Sequence, residues 1–445
     1  MHLAIRYTLA EIGVEIEVAR LFAYRLAGEV RGHTTREVNK MARIGMLNGV
    51  RVIDLSQAVA GPSGSQLLGD LGANVIKIEP PEIGDIARGA APKLEGESFY
   101  QLALNRNKKS MTLDLNTRTG KEAFHDLVKV SDVVFDNFRP GVLERLGADY
   151  ETLSRINPRI VSCSITGYGA TGPYGDYPSF DDMAEGLSGV YGLCGEPDGS
   201  PVRVPIPIAD LAAGFFAATV IIAALFEREH TRVGSRVEVS MLDAVMYLMA
   251  TNFQSYFITG KVPRREGSKH PVAPMVGIFQ TRNDYLVLGP SWPRIARVVG
   301  KDWMIDDPRF ATVERRFENK QELEDLIEDG LREADTDAWL ELMHLEDIAA
   351  GPVNTLDKAT GDPQVRHNRT VVALQHPICG QIKGIECPIR VRDAVEQDHL
   401  PPPTLGQHTE EILKELLGYS DRRIRALRQE EESVGKLEPR GRRRL

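Results

Sequence analysis

Between Val50 and Glu79 the sequence VRVIDLSQAVAGPSGSQLLGDLGANVIKIE sets a β-branched run, a glycine-rich turn, a helix-period segment and a second β-branched run in succession. Short runs that are apolar without alternation fit strands covered on both faces. Two such strands joined by a helix pair in parallel, because the right-handed crossover is the one that packs back onto its own sheet. The pattern repeats. KSMTLDL, the helix GKEAFHDLVKVS and the strand DVVFDNF follow, then RPGVLERLG, the strand RIVSCSITGYG, a long apolar helix, and SRVEVS ahead of MLDAVMYLMA. This alternation predicts an α/β protein whose largely parallel sheet carries helices on its faces.

The texture changes at ITGKVPRREGSKHPVAP, and GIFQTRNDYLVLG with the charged helices after it reads as a smaller α+β domain over 245–335. Strand and turn chemistry then returns in DIAAGPVNTLDKATGDPQV. The basic end, 426–445, is expected as a disordered tail. Residues 1–45 differ in character, a helical period decaying into RGHTTREVNK, and fit either an appended extension or a translation start at Met46.

With 54 Lys and Arg against 63 Asp and Glu, the net charge of −9 gives no reason to expect nucleic acid or an anionic membrane as partner. The four cysteines show no CxxC spacing, which argues against a disulfide framework or a zinc site and for a reducing, cytoplasmic setting. The most apolar run, Ala212–Phe226, spans 15 residues. That is short of the roughly 20 needed to cross a bilayer.

GxSxG, HExxH, P-loop and CxxCH motifs are absent from the sequence. A dinucleotide site is the rival reading of the first βαβ unit, since its second strand ends in the acid Glu79. Its turn, Ala60-Gly61-Pro62-Ser63-Gly64-Ser65, keeps only a GxxG spacing, and Pro62 removes an N–H that a pyrophosphate would need. Asp210, in PIADLAAG, stands before the long apolar helix, where an N-cap role would keep its carboxylate charged. A desolvated carboxylate of this kind is a competent nucleophile toward an activated acyl group. The histidines offer no Ser-His-Asp set. His270, in GSKHP, is the one placed to touch a substrate.

Six blocks in order, GVRVIDLSQAVAGPSGSQLLGDLGANVIKIEPPEIGD, NRNKKSMTLDLNT, SDVVFDNFRPGVLERLGADYETLSRINPRIVSCSITGYGATGPY, PIADLAAG, GSRVEVSMLDAV and AAGPVNTLDKATGDPQV, resemble the family III CoA-transferases, a group that also holds α-methylacyl-CoA racemases. The resemblance covers about residues 47 to 420. It implies that Asp210 is the catalytic nucleophile, attacking an acyl-CoA thioester and carrying CoA as an aspartyl thioester to a carboxylic acid. Acyl-CoA is then substrate, with no permanently bound cofactor, and the resemblance implies a doubly wound, Rossmann-like large domain built from two segments, 46–235 and 340–425, beside the smaller domain, with the chain forming an interlaced homodimer. CoA is expected along Val59 and Ala60, along Leu113, Asp114, Leu115 and Asn116, and against Asn137, Phe138, Arg139 and Arg145; the two arginines suit phosphates.

The racemases of this group use a His opposite the Asp. Phe180 holds that place here and cannot carry a proton, although Asp181 adjoins it. Transfer is therefore favoured over 2-methylacyl-CoA racemisation or a non-catalytic CoA-binding role. The glycine-rich lid of the formyl-CoA enzymes is reduced to Gly267 in REGSKHPVAP, which argues against formyl transfer.

Overall fold

The computed structural model describes residues 43–391 and 396–437. Six parallel strands form the main sheet: β1 (Arg51–Asp54), β2 (Asn74–Glu79), β3 (Lys108–Thr112), β4 (Val133–Asp136), β5 (Val161–Thr166) and β6 (Arg236–Ser240). Their order across the sheet is β3-β2-β1-β4-β5-β6, so consecutive connections step one way from β1 and then the other way from β4. The β-branched runs make these strands because both faces are covered. Val52, Ile53, Val133, Val134 and Phe135 are wholly buried.

One face is covered by α1 (Ala60–Asp70) and by the long α4 (Ile208–Thr231). The other carries α2 (Arg118–Val128) and the chain end, whose Ile412, Leu413, Ile424 and Leu427 share a core with Ile53, Ile76 and Phe124. Between β5 and α4 lies α3 (Asp181–Ser188). After β6 come α5 (Met241–Leu248) and α6 (Ala250–Thr259), and the last helix is α7 (Asp421–Leu437). A separate core gathers around β7 (Gly277–Gln280), β8 (Tyr285–Leu288) and β9 (Ala350–Pro352), an antiparallel trio, and runs from Met275 to Ile348.

Four sequence expectations need correction. Helix α1 begins at Ala60, inside the segment read as a turn, because Pro62 falls in the first helical turn, where its missing N–H leaves no intrahelical bond unmade. Helix α4 runs to 24 residues with high mean hydropathy, long and apolar enough to cross a membrane by those criteria. One face of it, Ala209, Ala213, Ala217, Ala218 and Ile221, is buried in the sheet core instead. The second core extends past residue 335, because β9 completes its small sheet. The tail expected from residue 426 is helical to Leu437, since Leu427 is buried and the Glu431 carboxylate accepts the N–H of Asp114 at 2.9 Å. The remaining basic residues, 438–445, and residues 1–42 lie outside the described chain. Arg43–Ile44 pairs antiparallel with Glu396–Gln397.

Candidate active site

Where the strand order reverses, between β1 and β4, the loops leaving the two carboxyl ends diverge and a crevice opens, the usual ligand position in an open parallel sheet. Asn137 spans its base. Its Oδ1 accepts the Gln57 N–H and its Nδ2 donates to the Gln57 carbonyl, both at 2.8 Å. The next residue, Ala58, has φ 62°, a left-handed conformation costly for a residue with a Cβ.

Buried charges hold this loop in place. Asp85 accepts the Ala58 N–H at 2.9 Å and is paired with Lys77 at 2.8 Å, while Lys77 also donates to the Ser56 carbonyl at 2.7 Å. Lys108 donates to Asp54 at 3.2 Å and to the Pro62 carbonyl at 3.0 Å. Burial pushes Asp54 upward, but Lys108 and Lys77 outweigh it and hold the carboxyl at about 2. Burial brings Lys108 down to about 8 despite Asp54. Glu79, the acid of the dinucleotide reading, is buried and clasped by both Nε and Nη2 of Arg88 at 2.7 and 2.9 Å, so it presents no carboxylate to a ribose.

Asp210 lies in the first turn of α4, half-buried, and it does not cap the helix as the sequence led one to expect; Pro207 holds the cap position and has no capping side chain. The open N–H groups go to a neighbouring helix. Asp181 Oδ1 accepts from Ala209 at 3.0 Å and from Asp210 at 3.1 Å, and Glu185 Oε1 accepts from Ile208 at 3.2 Å. With its local donors taken, Asp210 is not held ionised by the helix end. Burial, and then the negative charge of Asp181, Glu185 and Asp182, push its carboxyl up to about 7. Asp182 is held by Arg203 Nε at 2.5 Å and by the Tyr191 hydroxyl at 2.8 Å.

One turn beyond Asp210, Gly214 lets α4 close onto α1. A Cβ on Gly64 would lie 2.5 Å from the Gly214 carbonyl oxygen, and a Cβ on Gly214 would strike Ser63 Oγ and the Ala60 carbonyl. Backbone contact between the two helices thus ties the turn bearing Asp210 to Ala60, at the lip of the crevice.

The other predicted residues are spread around this centre. Val59 and Ala60 are buried at the start of α1, Phe138 is half-buried, and Arg139 and Arg145 are exposed beyond β4. Leu113, Asp114 and Leu115 are buried against α7, leaving Asn116 as the exposed member of that run. Phe180 projects into solvent just before α3, and Asp181 is buried beside it. His270 is exposed and accepts the Val272 N–H at 3.2 Å; among the described residues no hydrogen bond joins it to Asp210. Glu185, Arg203, Tyr191 and the Lys77–Asp85 and Lys108–Asp54 pairs were not foreseen. Signals existed in the i,i+4 spacing of Asp181 and Glu185 and in lysines set within β-branched runs, where a buried charge needs a partner.

The model of the family described as CoA-transferase family III matches residues 47–409. The chain is 35% identical over 396 residues to a human succinyl-CoA:glutarate CoA-transferase, covering 88% of this chain and 90% of that protein. It is 34% identical over 381 residues to a succinate–glutarate CoA-transferase of Agrobacterium fabrum, covering 83% and 95%. A CaiB/BaiF family protein from Brucella suis, solved by crystallography, superposes with a TM-score of 0.77 at 33% identity, covering 84% of this chain and all of that one. A reversed six-strand parallel order, a half-buried aspartate at the crevice and these matches over nearly the whole length agree, and the chain belongs to CoA-transferase family III.

Proposed function

We propose that this CoA-transferase moves CoA between an acyl-CoA and a carboxylic acid with Asp210 as the covalent carrier. The observation that carries the reading is the half-buried Asp210 carboxyl, locked by the Gly64–Gly214 contact beside the switch-point crevice. Asp210 attacks the thioester carbonyl, forming a mixed anhydride and releasing the CoA thiolate. The thiolate attacks the aspartyl carbonyl, expelling the donor acid and leaving aspartyl-CoA. The acceptor carboxylate repeats the two steps in reverse, so the new acyl-CoA departs and the Asp210 carboxylate is restored. Each step exchanges one acyl bond for another, so no ATP is consumed.

Asn137 fixes the crevice base, and Arg139 and Arg145 are exposed near its rim, where forked guanidinium groups suit the CoA phosphates. An isomerase would need a second free acid–base group. Phe180 supplies none, and Asp181 is buried, with one carboxylate oxygen taken by two backbone N–H groups of α4 and the other without a hydrogen-bond partner. The relatives named for succinyl-CoA and glutarate favour dicarboxylic acyl groups as donor and acceptor.

We further assign the working form as a homodimer. Phe226, Tyr247, Phe257, Ile258 and Val262 are each about 70% exposed or more on the successive segments α4, α5, α6 and the chain just after them, more apolar surface than a lone chain normally leaves to water.

Intact mass measurement after mixing with succinyl-CoA and quenching with hydroxylamine tests the carrier. A hydroxamate mapped to Asp210 in wild type and missing from Asp210→Asn is the expected result. Turnover by Asp210→Asn at the wild-type rate would overturn it.

A further inference from the structure

Three groups of residues remain once CoA and the nucleophile are assigned: the buried lysine pairs beneath the Ala58 loop, the basic cavity of about 650 Å³ lined by Lys261 and Arg264, and the carboxyl pair at the start of α4. The last carries an inference. Asp181 and Glu185 stand one turn apart on α3, 7% and 0% exposed. One oxygen of each accepts N–H groups of α4, while Asp181 Oδ2 and Glu185 Oε2 are buried with no hydrogen-bond partner. Neutral oxygens of Ser or Asn could take these N–H groups in a purely structural cap, without the cost of burying charge.

We propose that Asp181 and Glu185 are positioning residues for the nucleophile: they occupy the helix-end N–H groups and keep a negative charge facing Asp210. This rests on Asp210 being the carrier. A carboxyl buried beside another negative charge keeps its proton to higher pH than an exposed one. Burial and the adjacent Asp181 push the Glu185 carboxyl up to about 7, in keeping with that. The negative charge of the pair repels the Asp210 carboxylate. When Asp210 becomes an anhydride or a thioester its charge disappears, and the repulsion with it. The pair thus destabilises the free nucleophile relative to its acyl forms and favours the covalent intermediate.

The other groups facing the cluster are accounted for. Asp182 bears Arg203 and the Tyr191 hydroxyl, and Arg203 Nη2 lies 3.9 Å from Asp181 Oδ2. Ser188 donates to the Glu185 carbonyl at 2.7 Å and lies 3.8 Å from the sulfur of Met249, just after α5, while Ala244 and Val245 of α5 share the core with Ala184 of α3.

Asp181→Asn and Glu185→Gln each keep an oxygen for the α4 N–H groups, so circular dichroism and melting should stay near wild type. Two readouts are taken on the full chain. The first is labelling of Asp210 by carbodiimide and an amine nucleophile across pH 5 to 9, which reports its protonation whether or not it carries CoA. The midpoint should fall by about one pH unit in Asp181→Asn, a tenfold change in ionised fraction. It should fall less in Glu185→Gln and least in Asp182→Asn. The second is the fraction of enzyme trapped as hydroxamate at saturating succinyl-CoA, expected to drop severalfold in Asp181→Asn.

An unchanged midpoint in both folded variants overturns the proposal, whatever the carrier proves to be. If wild type yields no hydroxamate at all, the carrier assignment falls instead, and the labelling midpoint still decides whether the pair controls Asp210.

Discussion

Asp136 ends β4 at the crevice with its carboxyl fully buried, accepting from Ser164 Oγ at 2.7 Å and from the Phe138 N–H at 3.0 Å. Burial outweighs these two donors and raises it from 3.8 to about 7. A carboxyl whose folded value lies above its unfolded one stabilises the fold fully below the unfolded value, and that contribution is lost as pH rises through the folded one. Wild type should therefore lose stability relative to Asp136→Asn on going from pH 6 to pH 8.5, by about 1.4 kcal/mol. Urea unfolding of both proteins at the two pH values checks this, and parallel curves would show that the residue does not titrate in that window. Asp54 illustrates the opposite sign from a similar depth: Lys108 and Lys77 keep it at about 2, so its contribution is lost only as pH falls toward that value. For buried acids of one type, the partner decides which side of neutrality the group lies on.

At the scale of elements, the α1–α4 crossing links the turn proposed to hold CoA to Asp210, the proposed carrier. Alanine improves the propensity of a helix interior over glycine by roughly 1 kcal/mol. Against that, the Cβ of Gly64→Ala would sit 2.5 Å from the Gly214 carbonyl, a backbone atom that cannot rotate away. Overpacking of this kind costs about 1 to 3 kcal/mol, so the balance is destabilising. Gly64→Ala should lower the melting temperature by about 1 to 2 °C and reduce kcat more than KM, because separation of the helices shifts Asp210 from the crevice. Steady-state kinetics with calorimetry provides the check, and a variant as active and stable as wild type would mean the contact does not set the nucleophile. Gly64 and Gly214 were visible in the sequence as glycines, but nothing in either helix alone reveals that they face one another.

Across the whole molecule, the apolar residues left exposed on α4 and α6 set the assembly prediction. A double substitution, Phe226→Asp with Phe257→Asp, places two charges on surfaces now 72% and 69% exposed in the single chain. If a second copy covers these faces, light scattering should give a dimer for wild type and a monomer or aggregate for the variant. A monomeric wild type would refute the assignment.

The sequence by itself determined the α/β class, the six strand-forming runs and the family. These rest on local periodicity and on ordered motifs, which need no knowledge of what packs where. Only the tertiary structure decided which carboxyl caps α4, why Asp210 titrates near neutrality, and which buried lysines hold the Ala58 loop. Those properties arise from groups far apart in the chain that meet where water is excluded, and there both hydrogen bonds and charges depend on neighbours that no single segment specifies.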